Sequence, residues 1–237
     1  MGKSMQDFNF QEGEILLFDK ELEWTSFDLV QKVRNNLCRT LGVKKLKVGH
    51  AGTLDPKATG LMILCTGKAT KQIESLQAEE KEYIATLKLG ATTPSFDLET
   101  KEDNLYPTSH ITRELVLEAL QKFEGATDQV PPIFSAIKID GKRAYKHARK
   151  GEEVELKARQ IFIRKIELQQ FSSEEIVIRV VCSKGTYVRS LARDLGAALN
   201  SGAYLTALRR TRIGKFSVEN AFSVENFIKI LKENVTN

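Results

Sequence analysis

Residues 49–60 read GHAGTLDPKATG, and this run holds residue types that can do chemistry. Gly49, Gly52, Gly60 and Pro56 impose an unusual backbone path around one carboxylate, Asp55. Asp55 is the only acid between Asp28 and Glu74, and its basic surroundings favour the ionised form. A carboxylate so held can act as a nucleophile or a general base. The same pattern also suits a plain turn, since Asp before Pro is a common turn residue. Other chemistries find less support. The three histidines, His50, His110 and His147, are not spaced i, i+4, and no HExxH or Cys/His cluster occurs, so no metal is expected. No GxGxxG follows a strand, and no GxxxxGK[ST] or GxSxG is present, so no nucleotide cofactor and no hydrolase elbow are indicated.

The charge distribution points to a partner. Residues 32–50, 138–150 and 184–215 hold nineteen Lys/Arg against two Asp/Glu, whereas the rest of the chain holds seventeen against twenty-nine. Each block alone reads equally well as a solvated helix face. Three of them on an otherwise acidic chain favour a polyanion such as RNA. No apolar run approaches the ~20 residues of a membrane span, and the polar N-terminus lacks the apolar core of a secretory signal. Cys38, Cys65 and Cys182 are odd in number and form no CxxC, which suits a reducing cytoplasm rather than a disulfide framework. With 41% hydrophobic and 28% charged residues the chain is not a disordered one.

These residues need elements to position them. Residues 1–13 are polar and expected to fray. Ser26 suits an N-cap for a helix over 27–37, with Phe27, Val30, Val33 and Leu37 near one face. The Gly-containing stretch 39–60 reads as loop, 61–66 as a short buried strand and 69–77 as a helix. Alternation over 83–89 predicts a strand, and 91–109 a polar connection where an insertion or domain edge could fall. Thr112 begins a helix to about 123, and an extended run over 133–139 meets a turn at Asp140-Gly141. A short basic helix is expected over 143–150, a hairpin over 159–171 and 175–183, and a helix over 187–199. Residues 203–216 look extended, and Ser223 begins a last helix. Hairpin-like neighbours outnumber crossovers, which predicts an α+β fold with a mainly antiparallel sheet.

The motifs also carry a resemblance. GHAGTLDPKATGLMILCTGKATK, residues 49–71, is similar to the signature of the TruB-type tRNA pseudouridine synthases, which isomerise uridine 55 in the T loop. Five further segments match in order. Asp19-Lys20 followed by Trp24-Thr25-Ser26-Phe27-Asp28 resembles the family's first motif, and Lys81-Glu82-Tyr83 the segment of its active-site tyrosine. Residues 130–145, VPPIFSAIKIDGKRAY, resemble a PPxxSAxKxxGxRAY motif, and 185–196, GTYVRSLARDLG, resemble GTYIRSLARDLG. Leu208-Arg209-Arg210-Thr211 with Gly214 and Phe216 resembles the last motif. The chain departs from the family at Ala51, where a small hydroxyl residue is frequent, and at Glu23, where the first motif has glycine.

The resemblance implies a pseudouridine synthase fold, a mixed and mainly antiparallel sheet with flanking helices and an RNA-binding cleft. Residues 14–237 are expected to form one catalytic domain without the C-terminal PUA domain of many bacterial members, and so to contact a single stem-loop. Asp55 would be the catalytic aspartate, Arg189 its arginine partner, and Tyr83 the tyrosine that stacks on the flipped base and moves a proton from C5. His50 would touch RNA at the space the base leaves, Lys20 would serve structure or RNA contact, and Tyr187 would line the pocket. Lys142 and Arg143 fall in a basic block expected to meet phosphates. No cofactor is needed, because the base never leaves the site. The implied partner is the T arm of tRNA, met by a cytoplasmic monomer. Two alternatives stay open: an RNA-binding or tRNA-folding module, and the same isomerisation on another RNA stem-loop.

Overall fold

The computed structural model describes residues 8–135, 137–139, 141–144, 147, 152 and 156–233, with the backbone alone at 138, 139, 142 and 143. Its strands in chain order are β1 (Ile15–Lys20), β2 (Val48–His50), β3 (Ala58–Thr66), β4 (Lys81–Leu89), β5 (Ala91–Thr92), β6 (Asn104–Leu105) and β7 (Gly125–Gln129). They continue as β8 (Lys138–Ile139), β9 (Lys142–Arg143), β10 (Arg159–Phe171), β11 (Glu175–Cys182), β12 (Ala203–Ile213) and β13 (Phe216–Ser217). The helices are α1 (Ser26–Thr40), α2 (Ile73–Ala78), α3 (Arg113–Gln121), α4 (Val188–Ala198) and α5 (Val224–Glu233). The fold is α+β, with a mixed, mainly antiparallel sheet, as expected. The chain forms two compact units: residues up to Lys81 joined by those from Arg209 onward, and Glu82–Leu208.

In the first unit β3 is the central strand, buried continuously from Gly60 to Thr66. β1 runs antiparallel to it with Lys20 opposite Gly60, and β2 pairs with it with His50 opposite Leu64. This register sets the first motif beside the end of the Asp55 loop, and the loop itself is the connection from β2 to β3. Beneath it pack Ala51, Leu61, Ile63, Cys65, Leu76 and Ile213, all buried. A second cluster is aromatic: Phe227 of α5 meets Phe18 edge-on at 5.0 Å and Phe10 at 6.4 Å between ring centroids. Phe10 is thus buried within the segment that composition alone marks as frayed, while residues 1–7 lie outside the described residues.

In the second unit β10 pairs with β11 on one side and β7 on the other, both antiparallel. Ile176, Ile178 and Val180 alternate into a core shared with Ala85 and Leu87 of β4, Val116 and Leu120 of α3, and Leu191 and Leu195 of α4. Two small hairpins, β5·β6 and β8·β9, complete the unit.

Several sequence expectations are corrected. Helix α1 is capped by Thr25, not Ser26: Thr25 and Asp28 form a reciprocal capping box. Phe27 does not join the buried face of α1 but is 63% exposed. The stretch 39–60 is not all loop, since β2 and the start of β3 lie within it. The helix expected over 69–77 is a 3-10 turn, Gly67–Gln72, followed by α2. The connection 91–109 contains the β5·β6 hairpin, and the unit boundaries fall at 81/82 and 208/209 rather than there. Residues 133–135 bend instead of extending. Arg143 belongs to a strand and not to the start of a helix. The motif residues Ala136, Asp140 and Tyr145, and residues 145–150 apart from His147, lie outside the described residues.

Candidate active site

Asp55 sits half-buried on a loop held almost residue by residue. The Ser26 hydroxyl, freed from capping by Thr25, is buried and accepts from the Leu54 N–H at 2.8 Å while lying 2.9 Å from the Leu54 carbonyl. Ala58 N–H donates to the Asp55 carbonyl at 3.0 Å, and Glu23 N–H to the Pro56 carbonyl at 2.8 Å. Arg210, only 1% exposed, donates from Nε to the Leu61 carbonyl at 2.8 Å and from its two terminal nitrogens to Thr53 and Gly52 carbonyls at 3.3 and 3.2 Å. Gly60 is what lets β12 come so close: at φ +105° it has no Cβ, and one placed there would stand 2.3 Å from the Arg210 carbonyl. These anchors hold the main chain of the loop on both sides of Asp55.

Glu23 replaces the motif's glycine yet keeps a glycine conformation, φ +66°. The strain of a left-handed residue is of the order of 1–2 kcal/mol. Its N–H bond to Pro56 and its carboxylate, 2.6 Å from Lys57 Nζ, offset that strain.

Lys20 is fully buried, and its Nζ donates to the Glu21 and Trp24 carbonyls, each at 2.8 Å. Burial lowers its ammonium to about 8, partly countered by the charge of Asp55. The unfolded chain keeps this proton to about 10.5, so it binds more protons than the fold between pH 8 and 10.5. The penalty of holding a charged Lys20 is therefore fully present below pH 8 and is relieved as pH rises through that window. The difference in unfolding free energy between the wild type and Lys20→Met is expected to shift in favour of the wild type from pH 8 to 10.5. Denaturant titrations across that range check it, and a flat difference contradicts the assignment.

His50 ends β2, and its Nδ1 is buried without a hydrogen-bond partner among the described residues. Burial first, with Arg210 beside it, pushes its imidazolium below the usual histidine range. His50 is accordingly neutral at pH 7 and carries no charge to the loop.

The remaining sequence-predicted residues belong to the second unit. Tyr83 lies on β4, partly buried against that unit's core. Tyr187 immediately precedes α4, and buried Gln129 grips its backbone, accepting from its N–H at 2.8 Å and donating to its carbonyl at 3.1 Å. Arg189, the second residue of α4, is 6% exposed. Its Nε lies 3.7 Å from Asp97 Oδ2, and Nη1 lies 3.4 Å from the Ser95 carbonyl. Lys142 and Arg143 form β9, paired with Ile139 and Lys138.

Three residues that support these candidates within their own units are not legible as such in the sequence. Asp97 is buried in a segment taken for polar connection; the dense Thr, Ser and Asp of 92–100 was the available signal. Ser26 was given the neighbouring residue's role. Arg210 was recognised as part of a motif, but no periodicity reveals which carbonyls a buried guanidinium will hold. Among the described residues no three His, Cys, Asp or Glu side chains converge as a metal ligand set.

Residues 39–188 match the TruB family pseudouridylate synthase N-terminal domain, and 189–236 match the tRNA pseudouridylate synthase B C-terminal domain. The chain is 67% identical over 219 residues to a tRNA pseudouridine synthase B of Phocaeicola vulgatus, covering 92% of this chain and 93% of that one. It is 63% identical over 223 residues to the protein so named in Bacteroides thetaiotaomicron, with 92% and 93% covered. Among solved structures it is similar to a chain of an H/ACA RNP bound to a substrate RNA containing 2′-deoxyuridine, with TM-score 0.68 and 25% identity. That match covers 95% of this chain and 56% of the other. A chain of a Cbf5-Nop10-Gar1 complex aligns with TM-score 0.70 and 26% identity, covering 96% and 60%.

Proposed function

The chain belongs to the TruB family of pseudouridylate synthases, and from that premise we propose that it isomerises uridine 55 in the T loop of tRNA to pseudouridine, with Asp55 as the catalytic carboxylate. The observation that carries this reading is the anchored loop 49–60, whose fixed main chain presents one half-buried carboxylate. Isomerisation breaks the bond from C1′ to N1, turns the uracil and joins C1′ to C5; the C5 proton leaves and N1 gains one. Asp55 acts by attack at C1′ or C6, or by taking a sugar proton. Each route needs the ionised carboxylate on a rigid support. Tyr83 supplies the stacking face and the proton transfer at C5. Arg189, oriented by Asp97, supplies positive charge to the anionic reaction centre. Neutral His50 contacts RNA, Tyr187 lines the base pocket and Lys20 supports the turn beside the loop.

One chain acts on one T arm in the cytoplasm, a compartment in which Cys38, Cys65 and Cys182 stay free thiols. No described helix is long and apolar enough to cross a membrane. Pseudouridine mapping in total RNA from cells with and without the protein tests the reading: position 55 of tRNA should lose the modification when the protein is absent, and its persistence overturns the assignment.

The basic blocks give a second test. If they touch about four phosphates, log K against log salt should fall with a slope of roughly −3 to −4. Charge reversal at Lys142 and Arg143 should flatten the slope while leaving the rate at saturating RNA unchanged. Binding that ignores salt contradicts the phosphate role.

A further inference from the structure

The first turns of α1 hold a feature that the reaction does not use. Trp24, just before the N-cap of α1, and Asp28, Gln31, Lys32 and Asn35 of the helix line with Glu23 a pocket of about 460 Å³. Trp24 is half-buried, whereas Gln31, Lys32 and Asn35 are exposed. Phe27, one turn before Gln31, stands 63% exposed at its flank although core packing would have covered it. Both carboxylates of the pocket are engaged within the protein. Asp28 accepts from the Thr25 backbone and hydroxyl at 2.9 and 2.6 Å, and Glu23 pairs with Lys57 at 2.6 Å.

Beside the Asp28 carboxylate, which is hydrogen-bonded but not neutralised, the pocket offers an aromatic face, two side-chain amides and one ammonium. We infer that this pocket receives an unpaired nucleobase of the substrate RNA, other than the target uridine. The base stacks on Trp24, the Gln31 and Asn35 amides meet its polar edge, and Lys32 takes an adjoining phosphate. This rests on the proposed activity for the identity of the RNA.

Two observations favour RNA over other occupants. Lys32 opens the acid-free run 32–50, whose Arg39, Lys44, Lys45 and Lys47 are exposed. The turn that forms its rim is also bonded to the Asp55 loop through Glu23 N–H and the Pro56 carbonyl. A base seated on Trp24 would be bound by the same rigid piece that carries the catalytic carboxylate.

Trp24 is the only tryptophan of the chain, so its fluorescence reports on this pocket alone. A T-arm stem-loop transcript is titrated into the full chain, together with versions carrying one abasic position in turn at each unpaired nucleotide. Saturating RNA is expected to quench Trp24, and one abasic position should suppress the quench. Trp24→Leu, which keeps the backbone carbonyl that Lys20 uses, should raise KM about five- to twentyfold with kcat unchanged. Exposed Gln31→Ala, which threatens no packing, should raise it in the same direction. Combining Trp24→Leu with the critical abasic position should add nothing further. Unchanged emission at saturation, a quench indifferent to every abasic position, or wild-type KM in both variants overturns the inference. Pseudouridine formation by the wild type is measured on the same transcript. Its failure overturns the activity reading, while a position-specific quench in that RNA still upholds the pocket.

Discussion

Asp55→Asn is expected to leave less than about one per cent of the isomerisation rate and nearly all of the RNA affinity. The amide matches the carboxylate in size but neither attacks carbon nor accepts a proton. The loop around it should not move, because its anchors are main-chain groups: Leu54 on Ser26, Pro56 on Glu23, Gly52 and Thr53 on Arg210. Binding should be equal or slightly tighter, since the substitution removes the one acid between Asp28 and Glu74. The Lys20 ammonium offers an internal control. Asp55 raises its pKa, so the variant should lower it further below about 8. Single-turnover pseudouridine formation beside equilibrium binding of the same RNA separates the two effects. Turnover above a few per cent of wild type removes Asp55 from the chemistry, and a matching loss of affinity recasts it as a binding group.

The second large effect is expected at Arg210. Arg210→Met leaves the carbonyls of Gly52, Thr53 and Leu61 without their donor. Orphaning the buried Leu61 acceptor costs roughly 1–3 kcal/mol, and the Gly52 and Thr53 acceptors, which water reaches, cost less; with the partial offset of removing a buried guanidinium the net loss is about 2 kcal/mol. The rate should suffer more than stability accounts for. Misplacing a reacting group by about 1 Å can cost ~100-fold, and two of the three lost bonds lie within three residues of Asp55. Arg210→Lys should restore some stability and little rate, because one ammonium cannot replace a planar fork that reaches three carbonyls. Urea unfolding and single-turnover rates on the folded fraction check both parts. A folded Arg210→Met variant with wild-type rate shows that the loop keeps its shape without the guanidinium.

The elements nearest to local rules were the most legible. Thr112 ahead of α3, the alternation of β11 and the hairpin it makes with β10 follow from capping and from period-two patterning, and both act over a few residues. Asp55 stood out because glycine, proline and an isolated charge are visible without any partner. The failures share a different cause. Phe27 has helical spacing with Val30 and Val33, yet the face that burial selects is decided by β2 and by α5, the latter far away in sequence. Thr25 and Ser26 are both acceptable caps; Leu54 decides between them by claiming the serine. The supporting roles of Asp97 and Arg210 are not visible in the sequence, because a buried ion pair and a carbonyl clamp have no periodicity to reveal them. Local chemistry could thus find the carboxylate, whereas its supports are set by contacts between distant parts of the chain.

The clamp on the Asp55 loop has a temporal meaning during synthesis. Arg210 follows Leu61 by 149 residues, and the whole second unit is threaded between them. At about 15 residues per second the ribosome needs roughly 10 s to supply the guanidinium after the loop has emerged. Throughout that interval the nascent chain already displays the basic run 32–50, while Gly52, Thr53 and Leu61 lack their donor. The clamped form of the Asp55 loop therefore matures late. A chain that stops short of residue 210 carries Asp55 on a loop that its guanidinium clamp has not yet reached.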